Sequence, residues 1–232
     1  MARFATTHWS VILGSQHSPE RAREALEEVC RTYRAPVLSY VLQHGYAAAD
    51  AEDLTQEFFA RLVEQRWDAR ADPARGRFRA YLLTALQRFL ANQAESGRAG
   101  KRGGGAQRVT LDERTARAPG TQSPEQAFNR TWVLTVIEHA VHRLEHEVCA
   151  AGHASLYREL AEYLVESPDS ADYRLAAERL ELKPNTVAVH VHRLRQRLRE
   201  LIRDELANTV SSAEDLDGEL QALRGITHTD AL

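Results

Sequence analysis

The sequence predicts an all-α protein of two helical domains joined by a flexible linker. Three observations carry that expectation. Nearly every apolar run repeats at three- and four-residue spacing, the period of one helix face. No stretch alternates apolar and polar residues as a half-buried strand would. Between the two periodic blocks, residues 96–123 hold Gly103-Gly104-Gly105, Pro119, Gly120 and scattered arginines, with little to bury. The expected organisation is a first domain over 1–95, a linker over 96–123, a second domain over 124–206 and an acidic tail over 207–232.

In the first block, residues 21–30 turn Ala22, Ala25, Leu26 and Val29 inward. The helical pattern continues over 37–43 after Pro36. Residues 50–65 give the strongest pattern, with Leu54, Phe58 and Leu62 as its stripe, and residues 77–94 bury Phe78, Leu82, Ala85, Leu86 and Phe89. Trp9 is expected to anchor an N-terminal helix to this core.

The second block opens at Ser123-Pro124-Glu125-Gln126, where Ser123 can cap a helix and Pro124 suits its first turn. That helix runs to about Cys149 with Val133, Ile137, Ala140, Leu144 and Val148 inward, and helices over 155–164, 171–180 and 184–206 follow. The last two are short and amphipathic, with Glu181-Leu182-Lys183 as the turn between them. Val187, Val191, Leu194, Leu198 and Leu201 make one stripe of the final helix. Thr186, His190, Arg193 and Arg197 fall on another face, and Arg195 and Arg199 flank it. Two short helices, a tight turn and a basic second helix describe a helix-turn-helix, which lays its second helix in a DNA major groove. A solvated charged face on an ordinary helical hairpin is the alternative.

The whole chain fits one or two packed domains of 232 residues, 43% hydrophobic and 27% charged. No run has the length of a membrane span and the N-terminus lacks the basic-then-apolar order of a signal peptide, so a cytoplasmic location is expected. Cys30 and Cys149 stand far apart with no CxxC partner, which argues against a disulfide framework or zinc knuckle. The net charge of −3 is unusual for a protein whose only task is to grip DNA. Its charge is segregated, however, with Arg98, Lys101, Arg102 and Arg108 in one run and six acids over 204–219 in another. Such patches suit a protein that owes part of its DNA affinity to another partner.

Asp50, Asp53, Glu57 and Glu64 share one face of the 50–65 helix, which suits solvent or a basic protein partner and not DNA. The order Asp50-Ala51-Glu52-Asp53-Leu54-Thr55-Gln56-Glu57-Phe58-Phe59-Ala60-Arg61-Leu62 resembles the core-binding helix of bacterial sigma factors of the extracytoplasmic-function type. Residues 78–92 resemble the block of that family that handles the −10 promoter element. Residues 172–206 resemble the region that reads the −35 element, and the glycine-rich segment falls where the family has its interdomain linker. The stretches from Trp132 to Ala140 and from Val189 to Val210 also echo an extended version of the family.

The resemblance implies the following roles. Asp50, Asp53, Gln56 and Glu57 would meet the clamp helices of the β′ subunit of core RNA polymerase, with the β flap as a second polymerase contact. Tyr81, where the family often has Trp, would shape a single-strand pocket. Arg88 stands where some members use Asn to capture a flipped −10 base, and Asn92 matches a polar position one turn later. Asn185, Thr186, Val189, His190, Arg193 and Arg197 would face −35 bases, with Arg195 and Arg199 on phosphates. Many members have Lys-Ser-Arg where this chain has Ala188-Val189-His190, which lowers phosphate attraction and shifts weight to methyl contacts and Arg193.

The expected function is therefore a dissociable factor that gives RNA polymerase its promoter choice. It would have no active site and no cofactor, and promoter DNA and core polymerase would be its partners. An anti-sigma factor or other regulator is a further partner the resemblance allows. A stand-alone helix-turn-helix repressor is the rival reading. His139, His142, His146 and Cys149 share a helix face whose spacing could hold zinc, although an exposed face rich in Glu and His is the commoner outcome. Cys30 reads as a small buried hydrophobe. Leu216, Leu220 and Leu223 recur at helical spacing in the tail, which fits a disordered end, a helix folded on the second domain, or a regulator.

Overall fold

The computed structural model describes residues 19–64, 78–100, 122–166, 168–207, 216 and 218–221. Among them every regular element is a helix. Seven α-helices occur in chain order: α1 (Pro19–Gln43), α2 (Ala48–Glu64), α3 (Phe78–Gly100), α4 (Pro124–Ala150), α5 (Ala154–Leu160), α6 (Ser170–Leu180) and α7 (Pro184–Ala207). A 3-10 turn over Glu162–Leu164 follows α5, and residues 218–221 form a further helical turn. No helix among the described residues is long and apolar enough to cross a membrane. The expected Trp9 helix lies outside the described residues.

Two compact units result. One holds α1, α2, α3, the start of α4 through Thr135, and the described C-terminal residues 207, 216 and 218–221; the other is Val136–Leu206. The division falls inside α4 because its first turns bury Ala127, Phe128, Trp132 and Val133. The Phe128 ring lies edge-on to Tyr40 of α1, 6.5 Å away. The chain thus leaves the first unit within α4 and returns to it after α7.

The first unit is built on α1. Pro36 does not break the chain into two helices; it lies buried inside one helix of 25 residues. An interior proline costs about 3 kcal/mol through its lost N–H and its clash with the preceding turn. Val29, Tyr33, Val37, Tyr40 and Val41 form an uninterrupted buried stripe on both sides of it. Each fully buried side chain of that size contributes about 1.5–3 kcal/mol, so the stripe outweighs the proline.

In α2 the buried positions are Ala51, Thr55, Phe58, Phe59 and Leu62, while Leu54 is only half-buried. The Thr55 hydroxyl donates to the Ala51 carbonyl at 2.7 Å, which lets a polar side chain sit in the core. In α3, Phe78, Leu82, Leu86, Phe89 and Leu90 are buried and Ala85 is half-buried. Phe58 meets Phe89 at 5.6 Å and Tyr33 meets Phe78 edge-on at 5.3 Å, which packs α2 and α1 on α3. The helix continues to Gly100, five residues into the segment expected as linker. Extending an existing helix adds a hydrogen bond for each residue fixed, whereas starting one is costly. Residues 101–121 lie outside the described residues.

Ser123 caps α4 as its sequence predicts. Its hydroxyl accepts from the Gln126 N–H at 3.1 Å, and the Gln126 side chain accepts from the Ser123 N–H at 2.7 Å, a reciprocal capping box. At the other end Gly152 adopts φ +83°. The His153 N–H reaches the Val148 carbonyl and the Gly152 N–H the Cys149 carbonyl, both at 3.0 Å. That is the left-handed glycine stop that closes a helix C-terminus.

The core of the second unit brings together Ala140, Leu144, Tyr157, Leu160, Tyr163, Ala176, Ala177, Val187, Val191, Leu194, Leu198 and Leu201. Every residue of the predicted α7 stripe is among them. Ion pairs from Arg143 to Glu205 at 2.6 Å and from Arg179 to Glu159 at 2.8 Å join α4 to α7 and α5 to α6.

Candidate functional site

Three helix faces carry the residues singled out by the sequence. The first is on α2, where Asp50, Asp53 and Gln56 are exposed and Glu57 is half-buried. Asp50 and Asp53 have no ion-pair partner among the described residues. Glu57 differs. It accepts from Arg61 one turn later and from Gln93 of α3, both at 2.6 Å. Arg61 also lies over the Phe89 ring at 5.2 Å. Glu57 is thus partly spent on locking α2 to α3, and the net negative charge of the face rests on Asp50 and Asp53. Glu52, on the other flank, is paired with Arg34 of α1 at 2.6 Å.

The second face is on α3. Arg88 and Asn92 are exposed, and Tyr81 is half-buried with its ring 6.4 Å from that of Phe78. At about 100° per residue, Tyr81, Arg88 and Asn92 fall within about 40° of one another, about 120° from the Leu82/Leu86 stripe. Arg88 has no ion-pair partner among the described residues. A half-buried aromatic flanked by an exposed guanidinium and an amide is suited to stacking on and hydrogen-bonding an unstacked base.

The third face belongs to the helix-turn-helix of α6 and α7. Asp169 caps α6 by accepting from the Ala171 and Asp172 N–H groups at 2.7 and 2.9 Å, and Asp172 returns a bond to the Asp169 N–H at 2.8 Å. Those backbone donors hold the Asp169 carboxyl below its ordinary value. The turn is made by Glu181 at φ 55°, ψ 37°, and the Leu182 N–H then bonds the Ala177 carbonyl at 2.9 Å. Pro184 starts α7 at once. A three-residue turn and a capped first helix fix the second helix rigidly, as groove reading requires.

On α7 the predicted residues separate into three sets. Asn185, Val189 and Arg193 are exposed, and Arg193 has no ion-pair partner among the described residues. Thr186, His190 and Arg197 are half-buried, and His190 and Arg197 lie along the flank that faces α4. There a hollow of about 250 Å³ is floored by Leu144, Val148, Leu156 and Leu194 and edged by His190, Arg193 and Arg197. Arg197 grips Glu147 of α4 with two bonds at 2.8 and 2.9 Å and also reaches Glu200 at 2.9 Å. These carboxylates raise the Arg197 pKa, and in turn the Arg197 guanidinium lowers that of Glu147. Arg195 donates to the main-chain carbonyls of Tyr163 and Glu166 at 2.7 and 2.6 Å, pinning the segment between α5 and α6. Arg199 donates back to the Arg195 carbonyl at 3.1 Å.

His192, Gln196 and Arg203 are exposed on the same arc as Val189, and the sequence reading passed over them. A signal was present. The centre of the stripe formed by Val187, Val191, Leu194 and Leu198 fixes the outward direction, and 100° arithmetic from it points to Val189, His192 and Gln196.

His142, His146 and Cys149 are exposed and His139 is half-buried. Among the described residues no three His, Cys, Asp or Glu side chains converge as a metal site would require. Cys30 is half-buried, and that burial raises its pKa.

Residues 29–98, from the buried turns of α1 to the last turns of α3, match the family model described as Sigma-70 region 2. No curated protein and no solved structure matches the chain. The match supports a sigma-70 family factor, and it covers both the acidic face of α2 and the Tyr81/Arg88/Asn92 face of α3. Helices α5, α6 and α7 lie beyond it.

Proposed function

We propose that the protein is a sigma factor of the extracytoplasmic-function type, which binds core RNA polymerase and directs initiation at promoters with −10 and −35 elements. The observation that carries this reading is the Sigma-70 region 2 match over α1–α3, whose two exposed faces differ in charge. The α2 face, with Asp50, Asp53, Gln56 and Glu57, docks on a basic surface of core polymerase. Opposite charge steers that encounter and sets its register.

The α3 face acts on DNA. Tyr81 stacks on an unpaired base of the −10 strand while Arg88 and Asn92 bond to its edge or phosphate. In the second unit, α7 enters the major groove at the −35 element. Val189 offers methyl contact to thymine and Arg193 a bidentate donor pair to guanine, with Asn185 at the helix start. His192 and Gln196 extend the same face. Arg195 and Arg197 act through the protein by holding the segment before α6 and the α4 helix in place. The factor has no active site of its own, since nucleotidyl transfer belongs to the polymerase, and its place is the cytoplasm.

Permanganate footprinting of a cognate promoter tests the reading with factor alone, core alone and both together. The expected result is strand opening at −10 only in the combined sample. Tight, sequence-specific duplex binding by the free protein, with no opening when core is added, replaces it with a stand-alone repressor.

A further inference from the structure

The C-terminal segment is absorbed by no role above, yet Glu219 is fully buried in the first unit. Its carboxylate meets the Arg79 guanidinium of α3 at 2.8 Å, with side-chain exposures of 1% for Glu219 and 11% for Arg79. The same guanidinium lies 4.4 Å over the buried Trp132 ring of α4 and donates to the Asn129 side chain. One cation thus gathers α3, the start of α4 and a segment 140 residues further along the chain. Tyr33 of α1 is buried beside them, and its hydroxyl pKa is raised by that burial. Leu216 and Leu220, half-buried, lie three residues before and one after Glu219.

A carboxylate leaves water completely only where a partner compensates it, because an unpaired buried charge is among the costliest defects in a protein. Glu219 therefore marks a specific seat. We infer that residues 216 and 218–221 belong to a strap that docks on the α3–α4 face of the first unit through the Glu219–Arg79 pair and holds that unit closed. When the strap lifts, Arg79 loses its carboxylate and the cation–aromatic patch it shares with Trp132 is uncovered. On α3, Arg79 lies about 180° from Arg88, so the strap seals the inward side and leaves the Tyr81/Arg88/Asn92 face open. It therefore acts on the integrity of the first unit rather than by covering its DNA face. The inference stands whether or not the protein serves a polymerase.

Hydrogen–deuterium exchange by mass spectrometry tests it on three proteins: the full chain, full-length Glu219→Gln, and a chain ending at Ala207. Peptides from 78–90 and 124–135 are expected to exchange at least about tenfold faster in both variants, with 184–206 unchanged. A synthetic peptide of residues 208–232, added to the shortened chain, restores protection, and the same peptide carrying E219Q does not. Wild-type protection of 78–90 and 124–135 in both variants overturns the inference, as does loss confined to 184–206. Should the shortened chain fail to fold, E219Q in the full chain decides the matter on the same peptides.

Discussion

Replacing Arg193 and, separately, Arg197 by alanine should have opposite consequences, although both are arginines on one helix and the sequence gives them the same role. Arg193 projects into solvent with no ion-pair partner among the described residues, so its loss leaves the fold within about 0.5 kcal/mol of wild type. If it reads a base pair, the variant loses about 1–3 kcal/mol of −35 affinity, roughly 5–150-fold, and base preference at one position relaxes. Its salt dependence hardly moves, because base contacts release no counterions. Arg197 holds Glu147 and Glu200 with side chains 40% to 51% exposed. Exposed pairs of this kind contribute about 0–1 kcal/mol, so Arg197→Ala should cost about 1 kcal/mol of stability, or about 2–4 °C in Tm for a chain this long. Its effect on DNA should be smaller and uniform across sequences. The assay is a fluorescence-anisotropy titration of −35 duplexes with polymerase holoenzyme at several salt concentrations, beside thermal melts of the free proteins. A specificity change from Arg197→Ala and none from Arg193→Ala would refute the assigned rotation of α7.

Two further expectations follow from the other elements. Asp50→Lys with Asp53→Lys should cut core-polymerase affinity by at least about tenfold at low salt and leave the melting curve unchanged, since neither side chain has an ion-pair partner among the described residues; co-purification at wild-type affinity would remove the α2 face from the interface. Glu147 has a folded pKa below its ordinary 4.5, so its pairing stabilises the second unit above that value and is lost as pH falls through the lower, folded one. Thermal melts from pH 6 to pH 3 should therefore fall less steeply for Glu147→Gln than for wild type, and equal slopes would show that the Arg197 pair contributes nothing.

The sequence by itself determined the elements whose evidence is local. Ser123 with Gln126, and Pro184 at the head of α7, name their helix starts because a cap or a first-turn proline acts within four residues. The stripe from Val187 to Leu201 set the inward side of α7, since apolar burial at helical period has one solution. The acidic face of α2 was legible for the same reason, whereas Tyr81, Arg88 and Asn92 were singled out by the resemblance to sigma factors alone. Only the tertiary structure decided what depends on residues distant in sequence. Pro36 stays inside α1 because α2, α3 and α4 supply a core on both sides of it, a gain no local rule counts. That Arg195 holds the Tyr163 and Glu166 carbonyls and Arg197 holds Glu147 cannot be read from α7 alone. Glu219 reads as one more acid in a solvated tail, and its burial against Arg79 could not be read from either segment. Periodicity fixes the face a side chain takes, but the partner that consumes its charge is chosen by the fold.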